Sequence, residues 1–274
     1  MESNGHELYK HRINLSKLSR TKKGRIYFLI SLAVICTVWH FAAIAIDRSL
    51  VLPSFTETMR TFFTNWVDTA VMSNLAITLR RVLTGFLYAV IIGLPLGLLM
   101  GFFETFKVAF APIMNSVRQV PIMAWIPLSI IWFGLGDGPT IFLITMASIF
   151  PLMLNTMAGV SGIDPNYIHA AKSMGAGTGR IFLNIILPGS LPSFLVGFRL
   201  ALGLGWMSVI CAEFIATSEG FGFLLVESQI RMQTPRLYSL MIMAAIVGYL
   251  LDRILLMVER SLTSWRFKDG AFKG

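Results

Sequence analysis

Charge is scarce in this chain. Only 14% of its 274 residues are Asp, Glu, Lys or Arg, against about 25% in an ordinary soluble domain. Sulfur is scarcer: the two cysteines, Cys36 and Cys211, both fall inside apolar runs and have no metal-ligand spacing. Free cysteine in such a setting behaves as a small buried hydrophobe. The four histidines, His6, His11, His40 and His169, are scattered and form no ligand cluster, which argues against a metal site. No Ser/His/Asp arrangement or carboxylate pair offers a catalytic centre, which disfavours a membrane-embedded enzyme. The phosphate-cradling pattern GxxxxGK followed by Ser or Thr is also missing, so the chain lacks ATPase machinery of its own. No bound cofactor is expected.

Apolar sequence is what the chain has in plenty. Hydrophobic residues make up 55% and the mean hydropathy is +0.71, which points to an all-α integral membrane protein. A net charge of +9 could suggest nucleic acid, but its distribution argues otherwise. Seven of the 23 Lys and Arg residues lie in the first 25 positions, as in a basic flank that orients a membrane span. The first apolar run, Ile26 to Ile46, is long enough to cross a bilayer core of roughly 30 Å. Ala43 and Ala45 resemble a signal-peptidase site, but the run exceeds the roughly 7–15 residues of a signal core. It reads as an uncleaved anchor.

Five more spans are expected: Val82 to Phe103, Val117 to Phe133, Thr140 to Val160, Leu191 to Ala212 and Leu237 to Val258. With both termini inside, inner segments hold 16 Lys and Arg and outer segments six. This bias fits an N-in, C-in topology. The chain then divides into a basic cytoplasmic tail over 1–25, an anchor and external amphipathic segment over 26–74, a five-span core over 75–262, and a cytoplasmic tail over 263–274. Within the second part, Pro53 to Asn74 suggests a surface helix starting near Ser54.

Small residues mark two helix contacts. Gly93, Gly97 and Gly101, with Gly85 before them, line one face of the second span and allow close helix approach. Ser193, Gly197, Ala201 and Gly205 do the same on the fifth. Pro95, Pro127 and Pro151 favour kinks in spans two, three and four. The opposite face of span five carries Arg199, Gly203, Trp206, Ile210 and Glu213. Charges inside a span must face water, a partner or the bundle interior. Arg199 and Glu213 lie about 21 Å apart on one ideal helix and cannot pair with each other. Each is either a translocation-pathway residue or part of a structural ion pair. Trp206, Asn155, Gln119 and Thr156 are further pathway candidates.

One polar stretch interrupts this apolar pattern: HAAKSMGAGTGRIFLNIILPGSLP, His169 to Pro192. Asp164-Pro165 reads as an N-cap and first helical residue, starting a short helix that runs to about Met174. Gly175, Gly177 and Gly179 interrupt it. Arg180 to Leu187 reads as a second short helix, and Pro188 as a break before span five. GAGTGR is not a nucleotide loop, since no strand precedes it.

The spacing Ala170-Ala171, Gly175, Ile185 and Leu187-Pro188 resembles the coupling loop of permease subunits of bacterial binding-protein-dependent ABC importers. That family pattern is Glu-Ala-Ala, three residues, Gly, nine residues, Ile, one residue, Leu-Pro, and His169 stands where it has Glu. RQVPIMAWIPLSIIWFGLGDGP, GVSGIDPNYIHAAKSMGA, GFRLALGLGWMSVICAEF and the ending GYLLDRILLMVERSLTSWRF are similar to the nitrate/sulfonate/taurine branch. The resemblance covers residues 53 to 267. It implies a type I importer permease fold of six transmembrane helices, with the loop between spans four and five docked on an ATPase. It implies a non-catalytic subunit in the bacterial inner membrane. The partners would be a second permease copy, two cytoplasmic ATPases that use ATP and Mg, and an extracytoplasmic solute-binding protein. The solute would be a sulfonate, taurine or nitrate, or alternatively a vitamin precursor. A stand-alone ion-coupled transporter is the contrasting class, but the spans show no inverted repeat. A neutral His169 could replace part of a glutamate's docking role and a protonated one would reverse its charge, unless docking is mainly steric.

Overall fold

A computed structural model describes residues 22–263. The expected tails over 1–25 and 263–274 lie almost wholly outside the described residues. Among those described, every regular element is helical. The chain runs through α1 (Lys22–Ile46), α2 (Phe55–Asn65), α3 (Thr69–Phe102), α4 (Glu104–Val117), α5 (Ile126–Phe133) and α6 (Asp137–Ser161). Then come α7 (Pro165–Ser173), α8 (Thr178–Ile181), α9 (Leu187–Ala216), α10 (Phe221–Ile230) and α11 (Thr234–Leu262). Five helices are long and apolar enough to cross a membrane, or six if the bent pair α4–α5 counts as one span.

Glycine decides how the centre packs. A Cβ on Gly85 would lie 2.7 Å from Ile144 Cβ, and one on Gly101 would lie 2.6 Å from Val160 Cβ. α3 therefore sits against α6 almost backbone to backbone, and the pairing 85–144 and 101–160 makes the two helices parallel. On the other side of α6, Gly197 meets Asn155, and Gly205 meets Ser148 Oγ at 2.8 Å. That order reverses, so α9 runs antiparallel to α6. Lipid tails are as apolar as leucine, so close packing of this kind, not hydrophobic burial, holds such helices together. Ser148 Oγ adds a cross-helix bond to the Ala201 carbonyl at 2.9 Å.

Two apolar clusters flank this three-helix layer. One joins Val71, Leu75, Val82, Ile144, Trp206, Phe221, Leu240 and Met243, uniting α3, α6, α9, α10 and α11. The other, with Val160, Ala171, Ile181, Ile186 and Phe194, lies at the opposite end beneath α7. Helix α2 starts at Ser54, whose Oγ accepts from the Glu57 amide at 3.3 Å. It packs on α11, where Asn65 Nδ2 donates to Ser239 Oγ at 2.6 Å. α1 stands largely free of the bundle, tied near its end by Trp39 Nε1 donating to the Pro53 carbonyl at 3.1 Å.

Three expectations are corrected. Helix α3 begins at Thr69, not Val82, because Asp68 caps it by accepting from the Ala70 amide at 2.9 Å. The third span is not one kinked helix. Glu104–Val117 and Ile122–Phe133 meet at 88°, with a 3₁₀ turn over Ile122–Trp125. The break sits ahead of Pro121, which disfavours helical geometry at Val120. Pro127 falls in the first turn of α5, where its missing N–H costs nothing. Nor does Pro188 break the chain. A π-turn over Phe182–Ile186, closed by the Leu187 amide on the Phe182 carbonyl, widens the helix just before it. The helix then runs continuously from Thr178 to Ala216, as a local π adjustment accommodates proline in a spanning helix.

Candidate transport and coupling sites

The polar stretch folds into a rigid corner. Asp164 Oδ1 accepts from the Asn166 amide at 2.9 Å and starts α7. At its other end, the Ala176 amide reaches the Ala171 carbonyl at 3.0 Å and the Gly175 amide the Lys172 carbonyl at 2.9 Å. Together these bonds form the Schellman closure. Gly175 has φ +79°, a left-handed conformation that costs other residues roughly 1–2 kcal/mol. Ala171 is buried and Ile185 packs beside it, both within the lower apolar cluster. His169, Ala170, Leu187 and Pro188 are exposed. A cleft of about 1060 Å³ runs between Tyr167, Ala170, Met174, Asn184, Ile185 and Pro188. Exposed Tyr167 and Met174 edge it. The corner thus presents apolar side chains on a frame fixed at both ends.

A second cavity, of about 650 Å³, lies between the α4–α5 break, the middle of α6 and the C-terminal half of α9. Gln119 and Asn155 line it, with Arg118, Trp125, Phe150, Met207 and Ser208. Asn155 Nδ2 donates to the Pro151 carbonyl at 2.8 Å, which holds its amide at the wall.

The other expected pathway residues face elsewhere. Arg199 pairs with two carboxylates of α11, Asp252 at 3.1 Å and Glu259 at 3.2 Å. Trp206 is buried, with Nε1 donating to the Ala244 carbonyl of α11 at 3.2 Å. Thr156 is buried in the α3–α6 seam, and its Oγ1 has no hydrogen-bond partner among the described residues. Burying an unmade hydrogen bond is costly. Thr156→Val should therefore leave the melting temperature unchanged or raised, in a thermal shift of the purified membrane protein.

Glu213 is fully buried and sits at the centre of a charge cluster. Its Oε1 accepts from Arg81 Nη1 at 2.9 Å, and Thr78 Oγ1 lies 2.8 Å from the same oxygen. Its Oε2 accepts from the Gly222 amide at 2.7 Å. The carboxylate thereby caps the first turn of α10, where the helix dipole favours negative charge. Buried Arg81 spends four of its five N–H donors here. Nε goes to Asp137 at 2.6 Å, Nη1 to Glu213 and to the Glu219 carbonyl, and Nη2 to Glu219 Oε1 at 2.9 Å. Exposed Arg80 adds a second bond to Asp137 at 2.5 Å. Gly220, at φ +110°, turns the chain directly over the pair. One clamp so joins α3, about three turns past its start, to the starts of α6 and α10 and the end of α9.

Sequence reasoning singled out Glu213 but not Arg81, Thr78, Asp137 or Glu219. The signal was there: an apolar helix that begins at Thr69 carries Arg81 inside it and must offer it a counter-charge.

Apolar helices long enough to cross a membrane, a cavity between the central ones and a fixed corner at one end suit a multi-pass membrane transport subunit. The chain belongs to the family of binding-protein-dependent transport system inner membrane components, whose pattern matches residues 93–264. It is 34% identical to the taurine transport system permease protein TauC of Escherichia coli, over 86% of this chain and 88% of that one. It is 32% identical to a putative ABC transporter permease of Methanocaldococcus jannaschii, over 94% and 98%. A putative aliphatic sulfonates transport permease, SsuC of Bacillus subtilis, is 31% identical over 91% of each. The fold matches a chain of the MetNI methionine ABC transporter with a TM-score of 0.62, covering 71% of this chain and 96% of that one at 18% identity. The chain is thus a non-catalytic permease subunit of an ABC importer in the nitrate/sulfonate/taurine branch.

Proposed function

We propose that this permease imports a small organic anion, a sulfonate first among them, powered by a separate ATPase that docks on the α7 corner. The observation that carries the docking role is the rigid, doubly closed corner with its exposed apolar edge. A short helix fixed at both ends can pass rigid-body motion to the spans it joins. His169, Ala170, Ala171, Gly175, Ile185, Leu187 and Pro188 form that docking element. A second copy of the chain completes the pore, two ATPases consume ATP with Mg, and an extracytoplasmic binding protein delivers solute. Nitrate and vitamin precursors are the alternative cargoes.

Six spans with both termini in the cytoplasm fit the helix directions. α3 and α6 are parallel, so the chain between them must return across the layer, and only the bent α4–α5 pair can carry it. The α7 corner then lies on the cytoplasmic side and the Arg81–Glu213 clamp on the outer side. Relatives that carry taurine and aliphatic sulfonates in their names support the choice of solute.

Gly175 tests the docking role. A Cβ there meets nothing within 4 Å, so a substitution is opposed by the backbone conformation alone. Gly175→Val should lower co-purification of the ATPase and ATP-driven uptake by about tenfold or more. Asparagine tolerates the left-handed region, so Gly175→Asn should keep most of both. If the valine variant docks and transports as wild type, the corner is not the coupling element. Uptake by the permease alone, driven by an ion gradient without ATP, would overturn the whole reading.

A further inference from the structure

The central cavity carries a single charged side chain among the described residues that line it, Arg118. Arg118 closes α4 at the 88° break, beside Gln119 and across from Asn155 and Ser208. Arg118 is exposed, and no ion pair or side-chain hydrogen bond engages it among the described residues; Arg48, Arg60, Arg180 and Arg260 are likewise unpaired, but none of them lines this cavity. Nothing acidic lines the cavity to compete for it. The remaining wall is largely apolar, with Trp125, Phe150, Leu154, Leu204 and Met207.

Resting on the anion-import reading above, we infer that Arg118 is the residue that receives the solute's anionic head inside the permease. A free guanidinium presents parallel N–H donors that match the paired oxygens of a sulfonate or carboxylate. Gln119 lies next to it, and the amide of Asn155 keeps one N–H beyond its bond to Pro151. Both can share an oxyanion. The apolar wall selects what is attached to that head: a short hydrocarbon body gains contact there, while a bare inorganic anion does not. The station therefore favours small organic sulfonates over nitrate. The broken span is what makes it possible. A continuous helix would hide its backbone and aim successive side chains around the axis; the bend sets residues 117–122 together on the cavity rim.

The test uses proteoliposomes holding the complete transporter, permease with its ATPase and binding protein, and follows sulfur-35 taurine and nitrogen-13 nitrate. Wild type should take up taurine in preference to nitrate. Arg118→Gln should cut taurine uptake at least tenfold, and Arg118→Lys should fall between the two with a raised KM, since a point charge keeps the attraction but loses the paired donors. Taurine uptake by Arg118→Gln at the wild-type rate overturns the inference while leaving the import reading standing. If wild type moves neither taurine nor nitrate but moves a solute that carries no sulfonate, carboxylate or other anionic group, the anion reading itself fails. Should Arg118→Gln fail to assemble, the lysine variant decides: an unchanged KM for taurine removes Arg118 from the solute path, and a raised KM keeps it there.

Discussion

Arg81→Met should destabilise the permease by about 3–5 kcal/mol, the cost of removing one partner from a buried ion pair. The reason lies in what stays behind. Glu213 is fully buried and cannot turn to water. It keeps the Thr78 hydroxyl and the Gly222 amide but loses its cation. Asp137 loses its buried partner too, though Arg80 still reaches it from the exposed side. Glu213→Ala should cost a similar amount, since it orphans the Gly222 amide and leaves Arg81 without its innermost acceptor. Glu213→Gln should cost less: an amide oxygen can still accept from Gly222, and Arg81 retains Asp137 and Glu219. The check is a fluorescence-detected size-exclusion melt of the detergent-solubilised protein. Wild type should melt highest, Glu213→Gln next, and Glu213→Ala and Arg81→Met lowest. Pairing Arg81→Met with Glu213→Ala should cost less than the sum of the two, because the double variant leaves no isolated charge at the centre. An Arg81→Met protein that melts with wild type would mean that the clamp does not hold the four helices together.

The clamp also shows how far this sequence can be read without coordinates. Position 213 announces itself, since a glutamate at the end of an apolar span, on the same face as Arg199, asks for water or a partner. The identity of that partner does not, because Arg81 lies 132 residues away and looks like a flank if the helix is started at Val82. Capping chemistry corrects the start: Asp68 accepts from Ala70, so the helix takes in both arginines. The glycine seams were legible for the opposite reason. Gly85, Gly93, Gly97 and Gly101 act through spacing along one helix, a purely local pattern. Asp164, Pro165 and Gly175 marked the ends of α7 for the same reason. The broken third span was not legible, because Pro121 and Pro127 are both apolar-run prolines. Which of them breaks the helix depends on which falls in a first turn. Only the bend shows that Arg118 reaches the cavity.

Gly97→Leu should prevent the central layer from forming as it stands. A Cβ at 97 would lie 2.6 Å from the Met153 carbonyl oxygen and 2.7 Å from Thr156 Cβ. A side chain can rotate away, but a backbone carbonyl in the middle of α6 moves only if the helix moves. Alanine alone should therefore cost about 1–3 kcal/mol, the usual range for overpacking, and leucine the top of that range or more. The damage would spread, because α6 is held on its other face by Gly197 and Gly205 of α9 and has no slack to retreat. Gly203→Ala is the matched control: it is a mid-helix glycine of α9 whose added Cβ meets nothing within 4 Å. It should melt at or above wild type, since alanine favours a helix interior over glycine by roughly 1 kcal/mol. Size-exclusion yield and melting temperature, measured side by side, separate the two cases. If Gly97→Leu and Gly203→Ala behave alike, the α3–α6 seam is looser than backbone contact, and the glycine stripe does not set the helix spacing.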